Sequence, residues 1–284
     1  MTMDPTEMPP PCRLIFARLV SRPEPTIDLA EAALLIAKEE YPDLEVARYL
    51  SRLDAMAAEV RDRVGNGPDA HQLIASLGDY LFKEQGFRGN TSDYYDPRNS
   101  FLNDVLDRRM GIPITLSTVY MEVGRRLGAR LHGVGMPGHF LVKYVGPGEE
   151  VVIDPFNGGA IVSPSDCQRL LDRISGGKLA FEPRFLSVLG ARKILARMLS
   201  NLKMIYFNSQ AYAKALSVVD RLLILDPRAA TDVRDRGLLY CQLNRYPEAM
   251  ADLERYLTLA PAAEDAEVIR DHLRSIRQRE ASMN

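Results

Sequence analysis

The spacing of hydrophobic residues predicts helices through the first part of the chain. Between residues 27 and 64, apolar side chains recur three and four positions apart, as at Leu29, Ala32, Leu35 and Ile36. This is the spacing of one helix face. Pro42 interrupts the pattern, so we predict one helix on each side of it. A further amphipathic helix is predicted from residue 71 to Gly86.

A second helical stretch surrounds a glycine–isoleucine–proline sequence. A short helix is expected to end at Met110–Gly111, and a longer one to start near Ile112 with Pro113 in its first turn. Proline suits that position because the first N–H groups of a helix have no partner within it. We expect the longer helix to be buried and to stop at Gly128, since it carries the apolar residues Ile114, Val119, Tyr120, Val123 and Leu127.

Beyond Gly128 the pattern changes from helical spacing to alternation. Residues 139–145 place Phe140, Val142 and Tyr144 on one face, which predicts a strand, and residues 150–156 predict a second one. Residues 163–174 then predict a helix capped by Ser163. Helices followed by antiparallel strands indicate an α+β domain that is mostly helical with a small antiparallel sheet.

The clearest internal repeat lies in the last part of the chain. A period of 34 residues, with a small residue where helices cross and a proline after the second helix, is the signature of the tetratricopeptide repeat. We predict two such units and a capping helix over residues 266–280, so that an α+β domain (1–190) precedes an all-α tail (191–284). The pairs with this period are Tyr212 and Tyr246, Ala215 and Ala249, Leu223 and Leu257, and Pro227 and Pro261.

Composition and charge exclude several classes of protein. The chain is 46% hydrophobic and 26% charged, and its formal net charge of −2 gives no electrostatic basis for binding nucleic acid or an anionic membrane. No segment has the roughly 20 apolar residues of a membrane-spanning helix. The acidic, proline-containing start of the sequence is unlike a secretory signal. We therefore expect a cytoplasmic protein.

Cysteine and histidine are too scattered to predict a metal site. Cys12, Cys167 and Cys241 lack the paired spacing of a disulfide framework or a zinc site. His132 and His139 have no acidic residue between them, which makes a poor ligand frame. No glycine-rich phosphate loop is present either. We predict neither a metal nor an organic cofactor.

Three motifs occur in the order and spacing of a known family. They are NSFLNDVLDRRMGIPITLS (99–117), GVGMPGHFLVKY (133–144) and VVIDPFNGG (151–159), and together they resemble the SirB1 family. The resemblance implies a transglutaminase-like domain, with the catalytic layout of papain-like thiol proteases, followed by tetratricopeptide-type repeats. It also implies an association with bacterial regulation.

The resemblance indicates where catalytic residues would lie. The superfamily places a cysteine at a helix N-terminus, a histidine on a following strand and an aspartate on the next. The helix and the imidazolium lower the pKa of such a thiol, and the aspartate orients the ring. Here the histidine is His139 and the aspartate is Asp154. Counted back from Gly128, the cysteine position falls on Pro113, which has no reactive group.

Other nucleophiles are possible in principle. Thr115 and Ser117 carry hydroxyls near the start of the helix, and a His–Asp pair can activate a hydroxyl. Cys167 follows on a different predicted helix. The simpler interpretation is that Thr115 and Ser117 are ordinary early-helix residues and that Cys167 is a small buried residue.

The pair of His139 and Asp154 has more than one interpretation without its cysteine. It is either a structural clamp between strands or half of a binding cleft. In the second case the N–H groups of Ile114 and Thr115 at the helix start could hold a carboxylate or another anion. Tyr94, Tyr95 and Asn99, on the preceding polar loop, are the other predicted binding residues.

Three functions follow from these patterns. The first is a non-catalytic scaffold that binds proteins or peptides through the cleft and the repeat tail. The second is a hydrolase or acyl-transferase with a non-standard nucleophile, and the third is a regulatory role implied by family association alone. The sequence names neither the partner nor the oligomeric state.

Overall fold

A computed structural model describes residues 10–65 and 69–283, with side chains through residue 279. The start of the sequence, on which the prediction about a secretory signal rests, lies mostly outside these residues. The described chain divides into two compact units, and the boundary along the chain lies between Met198 and Leu199. No described helix is long and apolar enough to cross a membrane.

The first unit is mostly helical, and several of its helices begin or end at predicted prolines and caps. Helices on either side of Pro42 are confirmed, as is a helix that starts with Pro113 and one capped by Ser163. The helices that begin in this unit are α1 (Pro11–Val20), α2 (Leu29–Glu40), α3 (Val46–Val64), α4 (Ala70–Gly78), α5 (Leu102–Arg108), α6 (Pro113–Arg126), α7 (Pro164–Ser175) and α8 (Ala191–Asn208).

Two short features of this unit depart from the predicted pattern. The helix predicted to run to Gly86 changes at Asp79–Glu84 into a π-helical segment. The short helix α5 ends at Arg108, and the following residues Met110–Gly111 form strand β2, which pairs in parallel with β1 (Arg88–Gly89). Arg109, between α5 and β2, adopts a left-handed conformation with a φ of 54°.

An antiparallel sheet of five strands packs against the helices. Its order is β6-β5-β4-β3-β7, and the two predicted strands, β4 and β5, lie at its centre with Val142 opposite Ile153. One face packs on α6, where Leu131 approaches Gly124. The other face shares an apolar cluster with α7 that includes Leu141 and Leu171. The strands are β3 (Leu131–Val134), β4 (Leu141–Gly146), β5 (Glu149–Asp154), β6 (Ala160–Ile161) and β7 (Val188–Leu189).

The second unit is a helical array with the predicted 34-residue period. Its helices after α8 are α9 (Tyr212–Leu225), α10 (Ala230–Gln242), α11 (Tyr246–Leu259) and α12 (Ala266–Met283), the last in the segment predicted to cap the array. The repeat extends to the backbone, because Gln210 and Asn244 both adopt positive φ, 56° and 58°, two residues before α9 and α11. Ala215 and Ala249 are fully buried, as expected of small residues where helices cross.

Candidate functional site

Helix α6 begins at the residue predicted to correspond to the nucleophile of the family. Pro113 is its first residue, and every residue from Pro113 to Gly124 is buried. The Thr115 hydroxyl accepts a hydrogen bond from the Ile112 N–H at 3.1 Å and donates to the main-chain oxygen of Asn99 at 2.7 Å. This hydroxyl therefore joins the helix start to the loop before it.

His139 and Asp154 lie side by side at one end of the sheet. His139 stands two residues before β4, and Asp154 is the last residue of β5. Nε2 of His139 is 2.9 Å from Oδ2 of Asp154, and the two side chains keep only 7% and 2% of their surface exposed. The antiparallel pairing of β4 with β5 thus brings together the two residues that the sequence predicts as a pair.

Four groups hold the carboxylate of Asp154. Besides His139, these are the main-chain N–H groups of Phe156 and Asn157 and the Asn157 side-chain amide, the last at 2.7 Å. Burial by itself raises the pKa of Asp154. The hydrogen bond and charge of His139, together with the Asn157 donors, outweigh burial and hold that pKa below its usual range. The carboxylate is therefore ionised at neutral pH and orients the imidazole ring.

The other nitrogen of the His139 ring is free. Nδ1 has no hydrogen-bond partner among the residues that the structure describes. Phe156 packs edge-on against the imidazole with ring centres 5.9 Å apart, and Tyr94 packs edge-on against Phe156 at 6.4 Å. We call the place bounded by His139, Phe156 and Tyr94 the His139 cleft.

The predicted binding residues of the polar loop occupy different environments. Tyr94 and Tyr95 are 39% and 68% exposed, so both rings reach solvent. Asn99 is fully buried, and its amide donates to the main-chain oxygens of Asp93 and Tyr94 while its side-chain oxygen accepts from Asn90. Asn99 therefore shapes the loop that carries the tyrosines, whereas Tyr94 lies in the wall of the cleft.

The alternative nucleophiles are all enclosed. Ser117 is fully buried, and its hydroxyl faces the main-chain oxygen of Phe140 at 3.5 Å. Cys167 is also fully buried, in the apolar cluster between the sheet and α7. Burial, with smaller contributions from Asp166 and Asp154, raises the pKa of the Cys167 thiol. Ile114, predicted to offer its N–H to an anion, is a buried residue that is 3% exposed.

One residue beside the site carries no signal in the sequence. Arg197, on α8, donates to the main-chain oxygens of Gly135, Met136 and His139 at 3.4, 3.2 and 3.1 Å. Its guanidinium also lies over the ring of Phe140, 5.6 Å from the centroid. Arg197 therefore fixes the loop that leads into His139. Its position in an ordinary amphipathic helix gave no reason to select it.

A separate cavity lies in the same unit. Its volume is about 620 Å³, and its walls include Met121, Leu131, His132 and Ile194. None of the predicted site residues lines it. The His139 cleft is therefore distinct from this cavity.

Comparisons with known proteins agree with the two units. Residues 47–200 match the family model of the transglutaminase-like superfamily, and residues 202–274 match a tetratricopeptide repeat model. A UPF0162 protein of Xylella fastidiosa is 38% identical over 91% of this chain and 93% of its own length.

Two further relatives show how far the similarity extends. A UPF0162 protein of Pseudomonas aeruginosa is 34% identical over 82% of this chain and 84% of its own length. Human F-box only protein 21 is 28% identical over 62% of this chain but only 29% of its own length. The chain therefore belongs to the UPF0162 family of proteins, within the transglutaminase-like superfamily, and carries a tetratricopeptide repeat region after its transglutaminase-like domain.

Proposed function

We propose that this protein, which resembles the SirB1 family in particular, is a non-catalytic scaffold that binds segments of other proteins. In this proposal the His139 cleft holds a peptide segment, and the tetratricopeptide repeats provide a second binding surface. Superhelical helix arrays of this kind present extended surfaces to partners. The observation that carries the proposal is that α6 starts with Pro113, which has no reactive group and to which the family pattern assigns the nucleophile position.

The surroundings of Pro113 support the absence of covalent chemistry. A nucleophile must lie within hydrogen-bond reach of its base and be free to attack. The Thr115 hydroxyl is engaged by two main-chain groups, Ser117 is enclosed within the helix packing, and the thiol of Cys167 lies in an apolar cluster. His139 Nδ1 remains free to hold a ligand by a hydrogen bond.

One observation favours the alternative, a hydrolase or acyl-transferase with a non-standard nucleophile. The hydrogen bond between His139 and Asp154 is intact, and His139 together with the donors of Asn157 keeps the carboxylate ionised. A catalytic triad needs the same arrangement of acid and base. The alternative therefore depends on a nucleophile that reaches Nδ1 after a rearrangement.

Reactive probes separate the two functions. The full-length protein and a His139→Ala variant are incubated with serine- and cysteine-directed electrophiles, and the adducts are counted by intact-protein mass spectrometry. We expect the two proteins to be labelled equally, because no group is activated by His139. Labelling that disappears in the variant would establish the alternative.

Surface variants test the role of the repeats. Met204 and Val268 are apolar residues of the second unit that are more than half exposed, 58% and 57%. We expect Met204→Asp combined with Val268→Asp to reduce partner capture by the full-length protein. The matched control is Ile161→Asp, at a residue of the first unit that is 62% exposed. Equal capture by both variants and the wild type would exclude a role for these two exposed residues.

A further inference from the structure

Three polar groups around the His139 cleft have a charge or a hydrogen-bonding atom that no described residue pairs with. The first is the guanidinium of Arg197, which is half-buried and forms no ion pair with any described carboxylate. Its hydrogen bonds go only to three main-chain oxygens, so its charge is not neutralised. Three of its five N–H groups are used in this way, which leaves two for a ligand.

The second group is Nδ1 of His139. The His139 side chain is only 7% exposed, and its Nε2 is hydrogen-bonded to Asp154. Nδ1 is the ring nitrogen nearer to the main chain, and the main-chain oxygen of His139 is 3.1 Å from Nη2 of Arg197. The free imidazole nitrogen and the unneutralised guanidinium therefore belong to the same small region.

The third group is the hydroxyl of Tyr94, which has no hydrogen-bond partner among the described residues. Burial raises the pKa of Tyr94, and the positive charge of Arg197 partly offsets that rise. The hydroxyl therefore lies within electrostatic reach of the guanidinium. Tyr94 is also linked to His139 through the ring of Phe156.

We propose that Arg197, His139 Nδ1 and the Tyr94 hydroxyl together bind a carboxylate group, which on a protein partner is the chain terminus. The inference rests on the proposed function and names the chemistry that the cleft recognises. A carboxylate accepts several hydrogen bonds and supplies the negative charge that would pair with the guanidinium of Arg197. The carboxylate of Asp154 cannot fill this role because it is already held by His139 and Asn157.

Glycine next to the guanidinium fits this assignment. A Cβ at Gly135 would lie 2.9 Å from Nη1 of Arg197. The absence of a side chain there lets the loop approach the guanidinium closely. In this assignment the same guanidinium holds the main chain at His139 and binds the carboxylate.

Two peptide pools test the inference on the full-length protein. Both are degenerate N-acetylated tripeptides, one ending in a free carboxylate and the other in a primary amide, and binding is followed by NMR shifts of the His139 ring. A charge-assisted hydrogen bond predicts that the acid pool binds about 10- to 100-fold more tightly than the amide pool. Sodium benzoate is titrated in parallel as a small carboxylate.

Three variants assign the preference to residues. Arg197→Gln should bring the acid-to-amide ratio close to one, and Tyr94→Phe, which leaves the loop contacts of Arg197 intact, should lower it by about 2- to 10-fold. Arg130→Gln removes an exposed positive charge elsewhere in the same unit and should leave the ratio unchanged. The His139 ring resonances of each unliganded variant report whether the site remains formed.

The outcomes separate the inference from the proposed function. If both pools bind at His139 with equal affinity, or if Arg197→Gln leaves the ratio unchanged, the carboxylate inference is wrong and peptide binding stands. If benzoate binds through Arg197 and neither pool binds, the ligand is a small carboxylate and the peptide role is wrong. If nothing binds at His139, both are wrong.

Discussion

At the scale of single residues, the site is defined by which polar groups are engaged and which are free. Thr115 and Asn99 could be selected from the sequence, but their contacts could not. The fold engages both in holding a loop to the start of α6. Their hydroxyl and amide are therefore structural. The free groups are the ring nitrogen of His139 and the hydroxyl of Tyr94.

Thr115 offers a test of this structural role. Thr115→Val keeps the shape of the side chain but leaves Asn99 O and Ile112 N without their buried partner. We expect a loss of about 1–3 kcal/mol in the free energy of unfolding, measured by urea denaturation. Thr115→Ser is the matched control, because it keeps the hydroxyl and removes only a methyl group. Equal losses in the two variants would show that the hydroxyl is unimportant.

Asp154 predicts a specific dependence of stability on pH. Its pKa is lower in the folded protein than the value of about 3.9 expected when unfolded, so ionised Asp154 stabilises the fold above that pH. The contribution is lost as the pH falls through the folded pKa. Asp154→Asn should therefore cost about 1.5–3 kcal/mol at pH 7, and the difference from wild type should shrink below about pH 4.

The measurement is denaturant unfolding of both proteins at pH 7, 5, 4 and 3. Asp43→Asn serves as the control, since Asp43 is an exposed carboxylate that lies outside the site. A difference between wild type and Asp154→Asn that stays constant from pH 7 to pH 3 would contradict the assignment of a lowered pKa to Asp154.

At the scale of elements, the sequence predicts several helix ends, a helix cap and the two central strands. Pro113 and Gly128 bracket α6, Ser163 caps α7, and the alternation after His139 gives β4 and β5. These features depend on a few neighbouring residues. The confirmed α+β fold rests on them.

Other features could not be predicted from the periodicity of the sequence. Strands β1 and β2 have two residues each and exist through their mutual pairing, so no periodicity marks them. The π-helical segment Asp79–Glu84 continues a helical pattern and differs from it only in its hydrogen bonds. Arg197 joins the site through main-chain oxygens of another segment. Such contacts have no signature in a single sequence.

Helix α6 offers a direct test of the assignment of Pro113. If Pro113 occupies the nucleophile position, the thiol introduced by Pro113→Cys should have a pKa below the usual value of about 8.5, because it adjoins a helix N-terminus and His139. Alkylation by iodoacetamide as a function of pH measures this pKa. The double variant with His139→Ala should show a higher pKa. A thiol pKa that does not depend on His139 would mean that position 113 does not face the imidazole.

The turn before β4 offers a second test at this scale. Gly138 has a φ of +68°, and a Cβ there would clash with the side chain of Ile174. Gly138→Ala should destabilise the protein by about 2–4 kcal/mol and shift the His139 ring resonances, because it adds overpacking to backbone strain. Gly148 also has positive φ, +82°, but no atom within 4 Å of such a Cβ. Gly148→Ala should therefore cost only about 1–2 kcal/mol. Equal costs would remove the role of the Ile174 contact.

At the scale of the whole molecule, the protein combines two units, and a UPF0162 relative aligns with both. The Xylella fastidiosa relative aligns over 93% of its own length, so the transglutaminase-like domain and the repeats occur together there as well. Human F-box only protein 21 matches over 62% of this chain and only 29% of its own length. In the proposed function, the His139 cleft of the first unit and the helical repeats of the second each provide a binding surface.

The most direct test follows binding and turnover in one measurement. The acid- and amide-terminated tripeptide pools are incubated with the full-length protein in water enriched in ¹⁸O. Bound and free peptides are then separated, and their masses are measured by mass spectrometry. The account predicts that acid-terminated peptides are retained by the wild type, that His139→Ala retains fewer, and that no peptide is cleaved or gains ¹⁸O. Loss of amide groups or incorporation of ¹⁸O that requires His139 would contradict it.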